Sequence, residues 1–278
     1  MRRDLGAFGG TAFVLLGCLL VGTVIGGCDS RPSSSSTTAV PPSSSSTAQT
    51  ATVPTTTSTS TPHLVTTTTT TSQVNVGLGP YLPLWPFATF EQVQAWEESN
   101  SSGGHQPWHL DAGLTAQAFV TGYLGFTEID TVIHTTIEPN GAHVAIGFVT
   151  AGTSTSTAAV IHMVRWGTSS GAPWEVVGTD DTTLVLTTPT YGSTAISPVT
   201  AGGTITGVDE QLVITVRQSA SPAPLGVSAS LPAGGINTPW STTVSYHGAT
   251  EPVLAIIAQT GGHIHAVERF AITGIRNG

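Results

Sequence analysis

The sequence predicts an α+β domain, two helices packed on a curved antiparallel sheet, followed by an all-β sandwich. Both follow a disordered N-terminal tether. Residues 30–72 are roughly two-thirds Ser and Thr with scattered Pro, a composition that cannot bury apolar surface. Helical apolar spacing lies between Pro86 and Gly125, and after it the period shortens to the alternation of strands. From Pro189 onward there is no helical period, and turn residues recur about every ten positions. The segments are therefore a leader at 1–27, a tether at 28–80, the α+β domain at 81–188 and the sandwich at 189–278.

Met1-Arg2-Arg3 is a short positive start, and 12–25 is almost wholly apolar or glycine. Such a run has the length of a signal-peptide core and is short for a membrane span. Ile25-Gly26-Gly27-Cys28 follows at once. It resembles the lipobox of bacterial lipoproteins, which implies cleavage before Cys28, acylation of its thiol and a lipid anchor at the extracytoplasmic face of the plasma membrane. Cys18 leaves with residues 1–27, so Cys28 is the only cysteine of the mature chain. That excludes a thiol nucleophile, a Cys-ligated zinc site and a CxxC redox pair.

Behind Cys28 the linker is a coil of about 45 residues, spanning about 40 Å on average and about 150 Å when extended. This is enough to lift a folded part off a bilayer into a cell wall. Dense Ser and Thr with Pro also suit O-glycosylation.

In the first folded segment Pro86 opens a helix with Phe90, Val93 and Trp96 at three-residue spacing, broken by Ser101-Ser102-Gly103-Gly104. Asp111 caps a second helix with Leu114, Ala118, Phe119 and Leu124 on its apolar face and Gly125 at its end. Strands are expected at 131–138, 142–150, 158–165, 174–177 and 183–186, with Pro139-Asn140-Gly141 turning the first pair. Helices on one face of an antiparallel sheet make an α+β architecture. In element order this segment resembles the cone-shaped cystatin-like and nuclear-transport-factor-two-like folds.

In the second segment seven short strands, at 194–196, 203–206, 211–217, 226–231, 241–246, 253–259 and 266–275, indicate a β-sandwich. Its characteristic phrases are Ile196-Ser197-Pro198-Val199-Thr200 with Gly203, Leu212-Val213-Ile214-Thr215-Val216, Trp240-Ser241-Thr242-Thr243-Val244 and Glu268-Arg269-Phe270-Ala271-Ile272-Thr273. They resemble the immunoglobulin-like domain of bacterial germination and sporulation lipoproteins, the Gmad family. The resemblance implies a binding or assembly module with no catalytic residue to carry over. The helices ahead of the first sheet depart from the germination lipoproteins, so no sporulation role is implied. The chain as a whole is similar to envelope lipoproteins of the actinobacterial, high-GC Gram-positive type.

Charge narrows the partners. Only 8% of residues are charged, against about 25% in an ordinary domain, and lysine is absent. Arg165, Arg217, Arg269 and Arg276 are too scattered for a phosphate-binding stripe, so no nucleic-acid partner is expected. Against these four arginines the folded part carries 14 acidic residues. Such a surface favours neutral or basic partners over anionic lipid or teichoic polymers.

One constellation looks enzymatic: Asp130, His134 and His162 on strands, with Tyr123 on the second helix. In pocketed nuclear-transport-factor-two-like proteins an acid and a Tyr inside the cone can abstract a proton. A metal site would start from His263 and His265 on one strand face, with His247 or Glu268 as a third ligand. Asp180-Asp181 and Asp209-Glu210 lack a calcium-loop spacing and read as turn residues. Pro-Trp recurs at Pro107-Trp108, Pro173-Trp174 and Pro239-Trp240, where burial of the ring is favoured over stacking on a sugar. The favoured reading is thus a monomeric, lipid-anchored, non-enzymatic binding module. It needs no cofactor or metal, and its partner would be another envelope protein, a glycan or a small ligand. The alternatives are a hydrolase or isomerase using a pocket in the first domain, and a metal-binding lipoprotein.

Overall fold

Two short α-helices and eleven strands are built from residues 77–278 of a computed structural model, which describes all of these except Gly104, His105, Asn140, Thr168 and Ser170 and the side chains of Val208, Asp209, Glu210 and Pro222. Cys28, the leader and most of the linker lie outside the described residues. No helix among the described residues is long and apolar enough to cross a membrane. Leu78, which composition assigns to the linker, is buried with Phe87, Val93, Val164, Trp166 and Val177.

Helix α1 (Phe90–Ser101) begins four residues later than Pro86 suggests. Thr89 supplies the cap, its hydroxyl accepting from Gln92 N at 3.4 Å while Gln92 Oε1 accepts from Ala88 N at 2.7 Å. Helix α2 (Ala112–Gln117) runs into a wider π turn at Ala118–Tyr123. Its cap is the expected Asp111, whose Oδ1 accepts from Leu114 N at 2.9 Å. Leu114 departs from expectation: it is 50% exposed, while Thr115, Ala116, Phe119, Val120 and Tyr123 are buried. The buried stripe is Ala112, Thr115, Ala116 and Phe119, at ordinary helical spacing that leaves Leu114 off it, and Thr115 is accommodated in the core because its hydroxyl donates to the carbonyls of Trp108 and Asp111, both at 2.8 Å.

The first sheet is an antiparallel meander of β1 (Thr131–Glu138), β2 (Gly141–Val149), β3 (Thr155–Arg165) and β4 (Trp174–Thr179). The next strand, β5 (Leu184–Thr188), belongs by sequence to this segment but pairs with the second sheet. There it meets β7 (Val199–Gln218), a single strand where the sequence suggests two. Asp209-Glu210, expected as turn residues, lie inside this strand: Gly207 and Glu210 pair with Gly235 and Ala233 of β9 (Leu231–Val244), and the irregularity is absorbed as register shifts. Gly203 permits the β5 contact, because a Cβ there would lie 1.8 Å from Val185 O.

β8 (Ser221–Val227) also pairs with β7, and the sheet continues through β10 (Val253–Gly261) and β11 (Arg269–Asn277) to β6 (Thr194–Ala195), which runs parallel to β11. The expected strand at 226–231 is instead the end of β8, a connection and the start of β9.

Strands β10 and β11 join the two cores. Leu254, Ile256 and Ala258 pack into a core formed within the second sheet, while Ala255 and Ile257 pack toward α2, the π turn and the first sheet. Ala271 and Ile275 alternate with Phe270 and Ile272 in the same way. Continuous apolar runs such as 253–258 are what a strand covered on both faces requires. Tyr123 adds a polar tie: its Oη donates to Gln218 O at 2.8 Å, and Arg217 donates back to Tyr123 O at 3.0 Å and Leu124 O at 3.2 Å. The described residues belong to one compact unit.

Candidate functional site

Alternation along β2 sends Ala142, Val144, Ile146 and Phe148 into the core against α2, so His143 lies on the opposite face. Its cross-strand partner on β3 is His162. The two imidazoles stack with centroids 4.6 Å apart and planes 18° from parallel. Asp180, just beyond β4, accepts from His143 Nδ1 at 2.7 Å. Tyr81 meets His162 edge-on at 5.0 Å. It arrives on a segment held along β4, where Leu84 N donates to Val176 O and Val176 N donates to Trp85 O. Burial first, then the neighbouring His143, holds the His162 pKa below its ordinary value, against the opposing pull of Asp180 and Glu138. An acid orienting an imidazole is part of a hydrolytic triad. Among the described residues, however, no hydroxyl or thiol is seen bonded to either ring.

The four residues of the enzyme-like constellation are not brought together. Tyr123 faces the α2 core with its hydroxyl committed to Gln218 O, and burial pushes its pKa far up. His162 is on the other side of the first sheet, and His134, exposed, is two strands away from it on β1. Asp130 is exposed, its carboxylate accepting from Thr131 Oγ1 at 3.0 Å. The partner His162 does acquire, His143, was detectable in the sequence only as the residue out of phase with the apolar alternation of β2.

A cavity of about 500 Å³ opens where β1 and β3 end and β2 and β4 begin. Pro80, Tyr81, Ile137, Glu138, Arg165 and Trp174 are among its walls. Ile137, Arg165 and Trp174 also line a second hollow of about 340 Å³, against Asp111 and Gly113 of the α2 cap. The Arg165 guanidinium lies 4.3 Å over the Trp174 ring and donates to Ala172 O, an arrangement favoured by the ring's negative face. Ile137 is 59% exposed. Trp174 and Trp240 are buried, and Trp108 stacks on Trp85 at 5.5 Å.

Two titratable groups are buried beside α1. Glu175 has no exposure; Oε2 accepts from Phe87 N at 3.2 Å while Oε1 has no partner among the described residues. Burial pushes its pKa well above the carboxylate range, with the backbone N–H bonds pulling the other way. His109 is packed among Trp108, Phe87 and Trp96, and burial lowers its pKa to about 4.

His263 and His265 lie in the connection between β10 and β11, off any strand face. Glu268 organises this loop, its Oε1 accepting from the backbone N–H groups of His263, Ile264 and His265 at 2.7, 2.6 and 3.3 Å. Burial alone would raise the Glu268 pKa, but these donors hold it below its ordinary value. His265 Nδ1 instead faces Glu128 Oε1 at 3.3 Å. Among the described residues no group of three or more His, Cys, Asp or Glu is placed to hold a metal ion.

Comparison of the chain with family models, with curated proteins and with solved structures finds no match.

Proposed function

We propose that this chain is a cell-envelope lipoprotein, anchored through acylated Cys28 at the outer face of the plasma membrane, that acts as a non-enzymatic binding module. In this reading the tether displays an α+β layer fused to an immunoglobulin-like sandwich of the Gmad kind, and the cavity beneath Arg165 and Glu138 is the binding surface. The observation that carries it is that cavity. Its walls combine exposed apolar surface with charged groups, the composition of a ligand site, and the fold leaves these groups without ion-pair partners among the described residues. The sandwich assignment is supported by β7, which spans both halves of the second sheet around one core.

Two measurements test it in growing cells. Labelled fatty acid should enter the wild-type chain and be absent from Cys28→Ala, which should also leave the membrane fraction. A photo-crosslinking side chain in place of Ile137 should capture a defined envelope component, and the product should vanish with Cys28→Ala. Lipid-independent membrane retention defeats the anchor, and no captured product from the Ile137 position defeats the binding role.

A further inference from the structure

Strand β1 ends the first sheet, and its outer edge pairs with no strand among the described residues. The opposite margin of that sheet is covered, because Leu84 N donates to Val176 O of β4 and Val176 N donates to Trp85 O. The pairing of β1 with β2 is irregular between Val132 and His134, and Pro139, which has no N–H to give, follows the strand's end. Between these limits lie five regularly paired residues, His134 to Glu138, all of them exposed. Thr135, Thr136 and Ile137 are β-branched, which suits an extended strand. The run holds none of the lysine or proline that blunts a sheet edge, so its outward N–H and C=O groups form a template for a further strand.

Register fixes the two faces of this run. Thr135 and Ile137 stand opposite Val144 and Ala142, on the face toward α2. His134, Thr136 and Glu138 stand opposite Ala145, His143 and Gly141, on the other face. Ile137 is 59% exposed and puts apolar surface beside the open edge.

We infer that a second copy of this chain adds its own β1 to this edge, antiparallel and about a two-fold axis at Thr136, giving a dimer where the sequence alone suggests a monomer. Residues directly opposite each other in an antiparallel pair share a face. The irregularity before His134 and the proline after Glu138 leave one two-fold register that uses the whole run. In it Thr136 meets its own counterpart, Thr135 meets the partner's Ile137, and His134 meets the partner's Glu138 on both sides of the axis. That last pair selects the occupant. The one imidazole and the one carboxylate of the run lie at equal distances from its centre, so the run is complementary to itself. Repulsion between the two acidic chains is screened beyond about 8 Å at physiological salt. Five residues a side make an interface well below the about 1,200 Å² of a standard one, so the dimer is weak and forms where the chain is concentrated. The pairing stands on β1 and does not depend on the cavity being a binding surface.

The test is Thr136→Cys in the full chain, in growing cells treated with a mild oxidant. Its two thiols would face each other across strands whose opposed Cα atoms lie about 4.5 to 5.5 Å apart, within the span of a disulfide. A product of twice the chain mass, cleaved by reductant, is expected. Wild type and Thr135→Cys should give less than about a tenth as much, because two residues at 135 are diagonal neighbours about 7 to 8 Å apart, too far to bridge. Within the Thr136→Cys chain, His134→Glu sets like charges opposite each other and should slow dimer formation about fivefold, and adding Glu138→His should restore the rate.

A chain that stays single at Thr136→Cys, as when its own linker covers the edge, overturns the pairing. So does a Thr136→Cys product of any mass other than twice the chain, a larger yield from Thr135→Cys, or a rate that ignores the charge variants. The binding role is read separately, from capture at Ile137 of a product whose mass differs from twice that of the chain.

Discussion

His143 and His162, on neighbouring strands, stack 4.6 Å apart while Asp180 holds the Nδ1 of the first at 2.7 Å. Burial and the neighbouring His143 make the charged form of His162 unfavourable, which ties the stability of this face to pH.

The sign follows from linkage. A histidine whose folded pKa lies below the unfolded value stabilises the fold above the unfolded pKa and loses that contribution as pH falls through the folded one. His162 is shifted in this direction, and burial takes His109 from 6.5 to about 4. Tm should therefore fall as pH drops from 6.5 toward 4, and His109→Gln should make that decline shallower. Thermal melts across a pH series measure it; parallel slopes for wild type and variant would remove His109 from the account.

Glu175 acts in the opposite direction. Its raised pKa means that stability is full below the ordinary carboxyl value of 4.5 and is lost as pH rises through the folded value. Glu175→Gln keeps an acceptor for Phe87 N and has no charge to bury. The variant should unfold at higher urea concentration than wild type at pH 7, with the gap closing as pH falls below 4.5. A less stable variant at pH 7 contradicts the assignment of a neutral buried carboxyl.

Tyr123 and Arg217 tie the π turn to the end of β7. Tyr123→Phe should cost about 1 kcal/mol, the worth of one buried hydrogen bond. Arg217→Ala leaves Tyr123 O and Leu124 O without that donor and should cost about 3 kcal/mol. Chemical denaturation gives both values, and a smaller loss for Arg217→Ala than for Tyr123→Phe would show that the carbonyls find other partners.

Gly203→Ala should destabilise by about 3 kcal/mol, in the upper range for overpacking, because the new methyl carbon meets Val185 O at 1.8 Å. Gly122→Ala is the control: nothing lies within 4 Å of a Cβ there, so stability should hold or rise slightly. Comparable losses at the two sites would mean that the β5–β7 contact is looser than the pairing indicates.

Features that depend on a few neighbouring residues were readable from the chain. The Asp111 cap lies where the local pattern puts it, and strand β1 has the expected limits. The run 253–258 announced a strand but not its two covered faces, since an apolar run alone does not say what lies above and below it. Local spacing likewise placed Tyr123 on a helix and His134 and His162 on strands, but it set Asp130 on a strand when it lies just ahead of β1, and it could not say which side of the sheet each would occupy.

Composition, capping pattern and apolar period thus specify a Ser- and Thr-rich stretch ahead of the folded part and most of the order of helices and strands, which follow from short-range chemistry. The assignment of β5 to the second sheet, the pairing of His143 with His162 and the placing of Arg165 and Glu138 on one cavity emerge only when strands pair. A register step of one residue turns every side chain of a strand to its other face, so which residues meet is decided by packing over the whole sheet.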